Sequence, residues 1–288
     1  MQLAEGRRKR SFLGDILIPS LLERRRGLRR RVIHFPALIG NQICITWAGH
    51  ASFLIQTLEH SILIDPNWAK WLKIIKRVRY PGFELHDLPF IDLVLVTHAH
   101  FDHLDRKTLR AIAADQSIIV PINVGNLVHG LGFQKIQELR TWQSYKHGLL
   151  QITLTPAAHW GARVLHDTHR GFGGFLIEYR GRTIFHCGDS AYFDGFKKIA
   201  QRRPIDVALL PIGAYDPPLQ RDVHMNPEEA LQAFQELGAQ IFIPMHYGTF
   251  RLSYEPLDEP LMRLLKQATR IGLATQIHVL LEGQPTVF

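Results

Sequence analysis

Residues Thr97-His98-Ala99-His100-Phe101-Asp102-His103-Leu104-Asp105 place three imidazoles and one carboxylate within six positions, His98 to His103. Imidazole nitrogen and carboxylate oxygen are the donors that zinc takes, and they suit iron and manganese as well. Single histidines are common in cores and on surfaces. Four ligand-type side chains in one short segment are not explained that way, so a metal site is the first expectation from this chain. Alternation lets His98 and His100 point one way while a turn sends Asp102 and His103 another. One segment can then serve two neighbouring ions.

Rigid elements must hold such a segment. The apolar run Ile91–Val96 before it reads as a buried strand. Asp105 after it reads as the N-cap of a helix from Arg106 to about Ala114. A pair of ions sharing donors requires about seven protein ligands. Three more candidates share one context: an apolar strand, a small residue or proline, then a ligand. They are His159 after Leu149–Leu154, Asp189 after Arg182–His186, and His246 after Gln240–Pro244. Asp189 has two oxygens and could bridge both ions.

Further strands are expected at Ile43–Thr46, Ser52–Gln56, Ser61–Ile64, Ile118–Val120, Gly174–Tyr179, Asp206–Leu210 and Gln276–Leu280. Arg180-Gly181 signals a hairpin between two of them. The clearest helix is Pro227–Leu237. Asn226 caps it, Glu229 completes a capping box, and Gly238 ends it. A second helix is expected over Pro260–Arg270. Strands come early and again late, each group with helices. That pattern predicts an α/β fold of two sheets packed face to face with helices outside.

The chain has 288 residues, 46% of them hydrophobic, enough for one large catalytic domain over residues 41–288. No apolar run is long enough to span a membrane, and the patch Phe12–Pro19 lacks the features of a secretory signal. Cys44 and Cys187 both fall in expected strands and read as reduced core thiols, which favours the cytoplasm. The net charge of +8 is concentrated in residues 1–40, which hold Arg7, Arg8, Lys9, Arg10, Arg24, Arg25, Arg26, Arg29, Arg30 and Arg31. Only Glu5, Asp15 and Glu23 oppose them. This reads as a basic arm that approaches an anionic surface, with acidic lipid the best fit. A solvated tail is the plain alternative.

The metal-ligand segment resembles that of the metallo-β-lactamase superfamily. Within it, the chain most resembles the N-acyl-phosphatidylethanolamine-hydrolysing phospholipase D group. That likeness rests on Thr46-Trp47-Ala48-Gly49-His50-Ala51, Ile64-Asp65-Pro66 and Leu210–Pro217. It continues through Val223–Ala230 and His246-Tyr247-Gly248-Thr249-Phe250. It implies the four-layer αββα sandwich of that superfamily. It also implies two zinc ions per chain, one on His98, His100 and His159 and the other on Asp102, His103 and His246, with Asp189 bridging. Asp65 would orient a ligand histidine, and His224 would face the substrate phosphate without binding metal. Three features depart from the family pattern: Ser190-Ala191 follow Asp189, Gly161–Phe175 lacks the usual tryptophan, and the basic N-terminal arm has no matching counterpart.

The implied activity is a dinuclear zinc phosphodiesterase acting on phospholipid-like substrates at the inner face of a membrane. Asp102 would orient the attacking water and His224 would protonate the leaving oxygen or bind the phosphate. A soluble hydrolase of a lactone, β-lactam or small phosphodiester is the alternative, because fold and metal do not fix the substrate. Nucleic acid is disfavoured as a partner, and a homodimer stays open. Tyr215, Tyr247 and Phe250 are expected to line the pocket, and His50 to buttress the site. His166 and His169 receive no role.

Overall fold

The computed structural model describes residues 10–27, 33–164, 166–217 and 223–288. The first sheet is built from β1 (Cys44–Gly49), β2 (Ser52–Gln56) and β3 (Ser61–Ile64). A small separate hairpin follows, β4 (Trp71–Leu72) and β5 (Ile75–Lys76). The first sheet then resumes with β6 (Leu93–Leu95), β7 (Ser117–Pro121) and β8 (Lys135–Leu139). The second sheet comprises β9 (Ser144–His147), β10 (Leu150–Thr155), β11 (Gly174–Tyr179), β12 (Arg182–His186), β13 (Val207–Pro211) and β14 (Ile241–Met245). β15 (Thr286–Val287) returns to pair with β1. The spatial orders are β15-β1-β2-β3-β6-β7-β8 and β14-β13-β12-β11-β10-β9. Strands β3, β6, β7 and β8 run parallel, as do β12, β13 and β14.

Side chains along the first sheet alternate between two apolar layers. Ile62, Ile64, Leu95 and Ile119 face the second sheet and meet Ile152, Phe175, Ile177 and Leu209. Leu63, Val94, Val96, Ile118 and Val120 face outward, under α2 (Arg106–Ile112) and α3 (Gly125–Val128). Both faces are buried, as expected for parallel strands with helical crossovers. On the far side, α4 (Gly195–Ala200) and α5 (Pro227–Leu237) cover the second sheet through Phe196, Ile199, Leu231 and Phe234. α6 (Glu259–Arg270) packs on α5. The result is the expected αββα sandwich.

α5 forms for the expected reasons. Asn226 Oδ1 accepts from Glu229 N–H at 2.9 Å, Glu229 Oε2 accepts from Asn226 N–H at 2.9 Å, and Gly238 ends the helix at φ 61°. The expected strand Gln276–Leu280 does not form. Ile277 makes a single bridge to Phe242, and a short 3-10 turn precedes it.

Part of the basic arm folds onto the body. A helical run from Phe12 continues into α1 (Ile18–Leu22), burying Ile16 and Ser20. Ser20 Oγ accepts from Lys76 N–H on β5 at 3.1 Å. Arg26 pairs with Glu23 and Asp258, and Arg10 with Asp216. Arg7, Arg8, Lys9, Arg29, Arg30 and Arg31 lie outside the described residues. Among the described residues, no helix is long and apolar enough to cross a membrane.

Candidate metal centre

The expected ligands all lie beyond the C-terminal ends of strands, where open α/β sheets place their sites. After β6, Val96 N–H still bonds Ile119 O at 3.0 Å, so the chain stays tied to the sheet up to Thr97. Leu104 N–H then bonds His100 O at 2.8 Å and closes a tight turn. Asp105 caps α2 through Lys107 and Thr108 N–H. The turn is therefore clamped at both ends, and its side chains have fixed directions.

Two donor sets converge. In the first, His98, His100, His159 and Asp189 each bring one ligand atom within 4.8 Å of the others. His100 Nδ1 lies 2.9 Å from His98 Nε2 and 3.2 Å from His159 Nε2. His159 Nδ1–H donates to Val223 O at 3.1 Å, which leaves Nε2 as the free lone pair. In the second set, Asp102, His103 and His246 gather with His50. Asp102 Oδ2 lies 3.3 Å from His246 Nε2 and 3.7 Å from His103 Nε2. Between the sets, Asp189 Oδ2 lies 3.1 Å from His103 Nε2, 3.2 Å from His246 Nε2 and 3.7 Å from His98 Nε2. One carboxylate oxygen thus touches both groups.

These residues fit divalent ions on chemical grounds. His103 Nε2 and both Asp189 oxygens are buried without a hydrogen-bond partner among the described residues. Burying such atoms unsatisfied costs roughly 1–3 kcal/mol each, more for a charged group. A cation at their meeting point removes that cost.

Behind the second set, Asp65 is fully buried and accepts three bonds. Thr97 N–H, Thr97 Oγ1–H and His103 Nδ1–H all reach its carboxylate at 2.7 Å. A carboxylate only accepts, so His103 Nδ1 carries the proton and Nε2 faces Asp102 and Asp189. Desolvation opposes charge on His103, but Asp189, Asp102 and Asp65 outweigh it and raise its pKa well above the usual value. The same balance raises His246 to about 9. Asp102 and Asp189 are held well below the usual carboxylate range, because their imidazole neighbours outweigh desolvation. Burial lowers His98, His100 and His159, so these rings are neutral at pH 7. Neutral imidazole is the ligating form.

The backbone here is strained. His50, Asp65, Ala214 and His246 have φ of 56°, 43°, 64° and 59°, the left-handed region that side chains avoid. Gly213 makes room for one of them: a Cβ there would sit 2.3 Å from His246 O.

His50 Nε2 meets Asp102 Oδ2 at 2.9 Å, the geometry of a buttress that aims the carboxylate. His224 contributes its Nδ1 at 3.8 Å from Asp189 Oδ2, and burial lowers it to about 4. It lines an open cleft of about 470 Å³ with His100, Asp102 and Asp189. The aromatic residues expected in that cleft lie elsewhere. Tyr247 stacks on Trp47 at 5.2 Å, Phe250 packs edge-on to His50, and the Tyr215 hydroxyl donates to Glu259. The cleft walls are instead Leu72, Ile74 and Ile75 of the small hairpin with Trp160, Val223 and Leu252. Lys73 and Arg163 supply its positive charge, both over the Phe101 ring. The His169 carbonyl accepts from Asn123 Nδ2–H at 3.0 Å. No sequence pattern marked this wall, because its two-residue strands carry too little periodicity to reveal it.

A model of the beta-lactamase superfamily domain matches residues 60–247. The chain belongs to the beta-lactamase superfamily. This superfamily member is 33% identical over 241 residues to an uncharacterized protein of Mycobacterium tuberculosis, covering 79% of this chain and 64% of that protein. It is 31% identical over 268 residues to a mitochondrial N-acyl-phosphatidylethanolamine-hydrolyzing phospholipase D of Saccharomyces cerevisiae. That match covers 88% of this chain and 55% of the yeast protein. The chain thus spans little more than half the length of the yeast relative. Among solved structures, a metallo hydrolase from Ignicoccus hospitalis, Igni18, matches with a TM-score of 0.65 and 26% identity, over 86% of this chain and 99% of that one. The superfamily match therefore spans all the converging donors, from His98 to His246.

Proposed function

We propose that this chain is a dinuclear metal-dependent phosphodiesterase of phospholipase D type, acting on N-acyl-phosphatidylethanolamine-like lipids. His98, His100 and His159 would hold one zinc, Asp102, His103 and His246 the other, with Asp189 shared. Zinc bound there would acidify a water molecule and offset negative charge on the phosphoryl oxygens. The observation that carries the reading is the placement of Asp189 Oδ2 between two donor sets, on the floor of an apolar-walled cleft.

The protein's own groups have separable tasks. Asp102, fixed by His50, accepts a hydrogen bond from the attacking water and aligns it with phosphorus. Water adds to phosphorus as the P–O bond to the N-acylethanolamine breaks, and the proton ends on that leaving oxygen. His224 is neutral at pH 7, so it acts as a hydrogen-bond donor to the phosphate. Lys73 and Arg163 attract the anionic headgroup, and Leu72, Ile75 and Leu252 accommodate apolar chains. Exposed Leu21, Leu22, Trp71 and Ile74 lie on α1 and the adjoining hairpin, beside basic Lys70 and Lys73. Such an edge suits a peripheral lipid surface and supports the reading of the basic arm.

The test is hydrolysis of N-acyl-phosphatidylethanolamine in anionic vesicles and of bis(p-nitrophenyl) phosphate, with zinc counted per chain. Turnover on both, lost in Asp189→Ala, is expected. Opening of a lactone or β-lactam without phosphodiester turnover would overturn the substrate class. A chain that binds no metal would overturn the centre itself.

A further inference from the structure

A second group of ligand-type side chains lies at the other end of the sandwich. The catalytic donors follow the C-terminal ends of β6 and β10. His60 and Asp92 instead precede β3 and β6, and His147 ends β9, just before β10. We infer that His60, Asp92 and His147 form a separate site for a divalent transition-metal ion of the zinc class, fastening one sheet to the other.

The geometry supports a metal better than a plain ion pair. One donor atom from each of the three residues lies within 4.8 Å of the other two. His60 Nδ1 is 3.8 Å from Asp92 Oδ1, too far for a hydrogen bond, and it is buried without a hydrogen-bond partner among the described residues. Donors around one zinc ion lie about 3.3 Å apart, so small side-chain rotations would close the set. Every donor has an anchor. Thr57 Oγ1 accepts from His60 N–H at 3.0 Å, Asp92 Oδ2 accepts from Ser61 N–H at 2.8 Å, and His147 pairs with Leu150 in the sheet. Asp92 therefore keeps Oδ1 free for a ligand.

Two further observations concern space. Gly148 has φ 55°, and a Cβ there would lie 2.7 Å from His60 Nε2. Glycine thus lets the β9–β10 turn close onto the His60 ring, whose centroid is 5.2 Å from that of His147. His60 and Asp92 also line an open cavity of about 470 Å³, which gives an ion an entry path. Gln56 Oε1 lines that cavity too and is buried without a hydrogen-bond partner among the described residues. Two imidazoles and one carboxylate leave a coordination position for water, and Gln56 is an acceptor for that water.

The test uses the full chain, stripped with chelator and dialysed against zinc at about 10 μM free ion. His147→Ala and Asp92→Asn should each bind about one zinc fewer than the unaltered chain, with unchanged turnover of bis(p-nitrophenyl) phosphate. Asp92→Asn retains an acceptor for Ser61 N–H, so its fold is preserved. In an Asp189→Ala background, filling this site with zinc at a hundredfold over its Kd should raise Tm by roughly 4–5 °C. Adding His147→Ala should remove this site's share of the rise, leaving only what the six remaining donors of the main centre contribute. Equal zinc in His147→Ala and the unaltered chain would overturn the site. So would zinc loss in His147→Ala but not in Asp92→Asn, the mark of an adventitious imidazole pair. Because zinc is counted directly, the outcome stands even if the chain hydrolyses no phosphodiester.

Discussion

Asp65→Asn separates ligand orientation from ligand identity. The native carboxylate accepts from Thr97 N–H, Thr97 Oγ1–H and His103 Nδ1–H, each at 2.7 Å in a site without solvent. Asparagine has the same shape but one acceptor oxygen and an NH2 group. If its oxygen keeps Thr97 N–H, its NH2 faces His103 Nδ1. That contact is tolerable only if His103 moves its proton to Nε2. The lone pair then points away from Asp102 and Asp189, and the ring can no longer ligate. Losing a partner of this kind costs about 10- to 100-fold in metal affinity, or about 1.4–2.7 kcal/mol. The metal-free protein also loses a charge-assisted bond, roughly 1.5–3 kcal/mol. Zinc affinity from chelator competition, with thermal melts of stripped protein, measures both. Zinc should be lost chiefly from the set that contains His103. Unchanged affinity in a folded Asp65→Asn chain would refute the orientation argument.

Three other outcomes follow from the same geometry. Stripped protein should lose stability as pH falls from about 6.5 towards 4, because His50 (about 3), His224 (about 4) and buried His186 are depressed and the unfolded chain takes up their protons first. His246 acts oppositely: its contribution is full below about 6.5 and is lost as pH rises through about 9. Melts across pH 4–10 should therefore peak near neutrality, and a flat profile from pH 7 to 5 would contradict the burial argument. Gly213→Ala should cut both stability and zinc binding, since its Cβ would lie 2.3 Å from His246 O; melting and metal counts test it. His224→Ala should lower kcat by about 10- to 100-fold with zinc content unchanged; loss of zinc would make His224 a ligand instead.

Much of the centre was legible because its chemistry is local. His98 to His103 are adjacent in the chain, and the flanking strand is an unbroken apolar run. α5 was legible because Asn226, Glu229 and Gly238 are unambiguous end signals. The cleft wall was not, since Trp71–Lys76 forms strands of two residues whose partner is only each other. β8 and β9 were missed because edge strands such as Lys135–Leu139 mix polar and apolar positions with little alternation. The Gln276–Leu280 expectation failed for the opposite reason. Its apolar residues alternate, yet only Ile277 finds a neighbouring strand to bridge. Which aromatic residues reach the cleft depends on how loops fold back, and no local pattern in the sequence encodes that.

The order in which the donors occur along the chain bears on how the protein is assembled. His98, His100, Asp102 and His103 belong to one turn of the first sheet and can be near one another early. His159, Asp189 and His246 arrive on three separate loops of the second sheet, up to 144 positions away from Asp102. Contacts of such sequence separation form slowly, because a long loop must close before they contribute. The early turn alone offers an ion several imidazoles without the geometry of the finished centre. Zinc present from the start of refolding should therefore trap partly folded chains, and zinc added after the sheets dock should not.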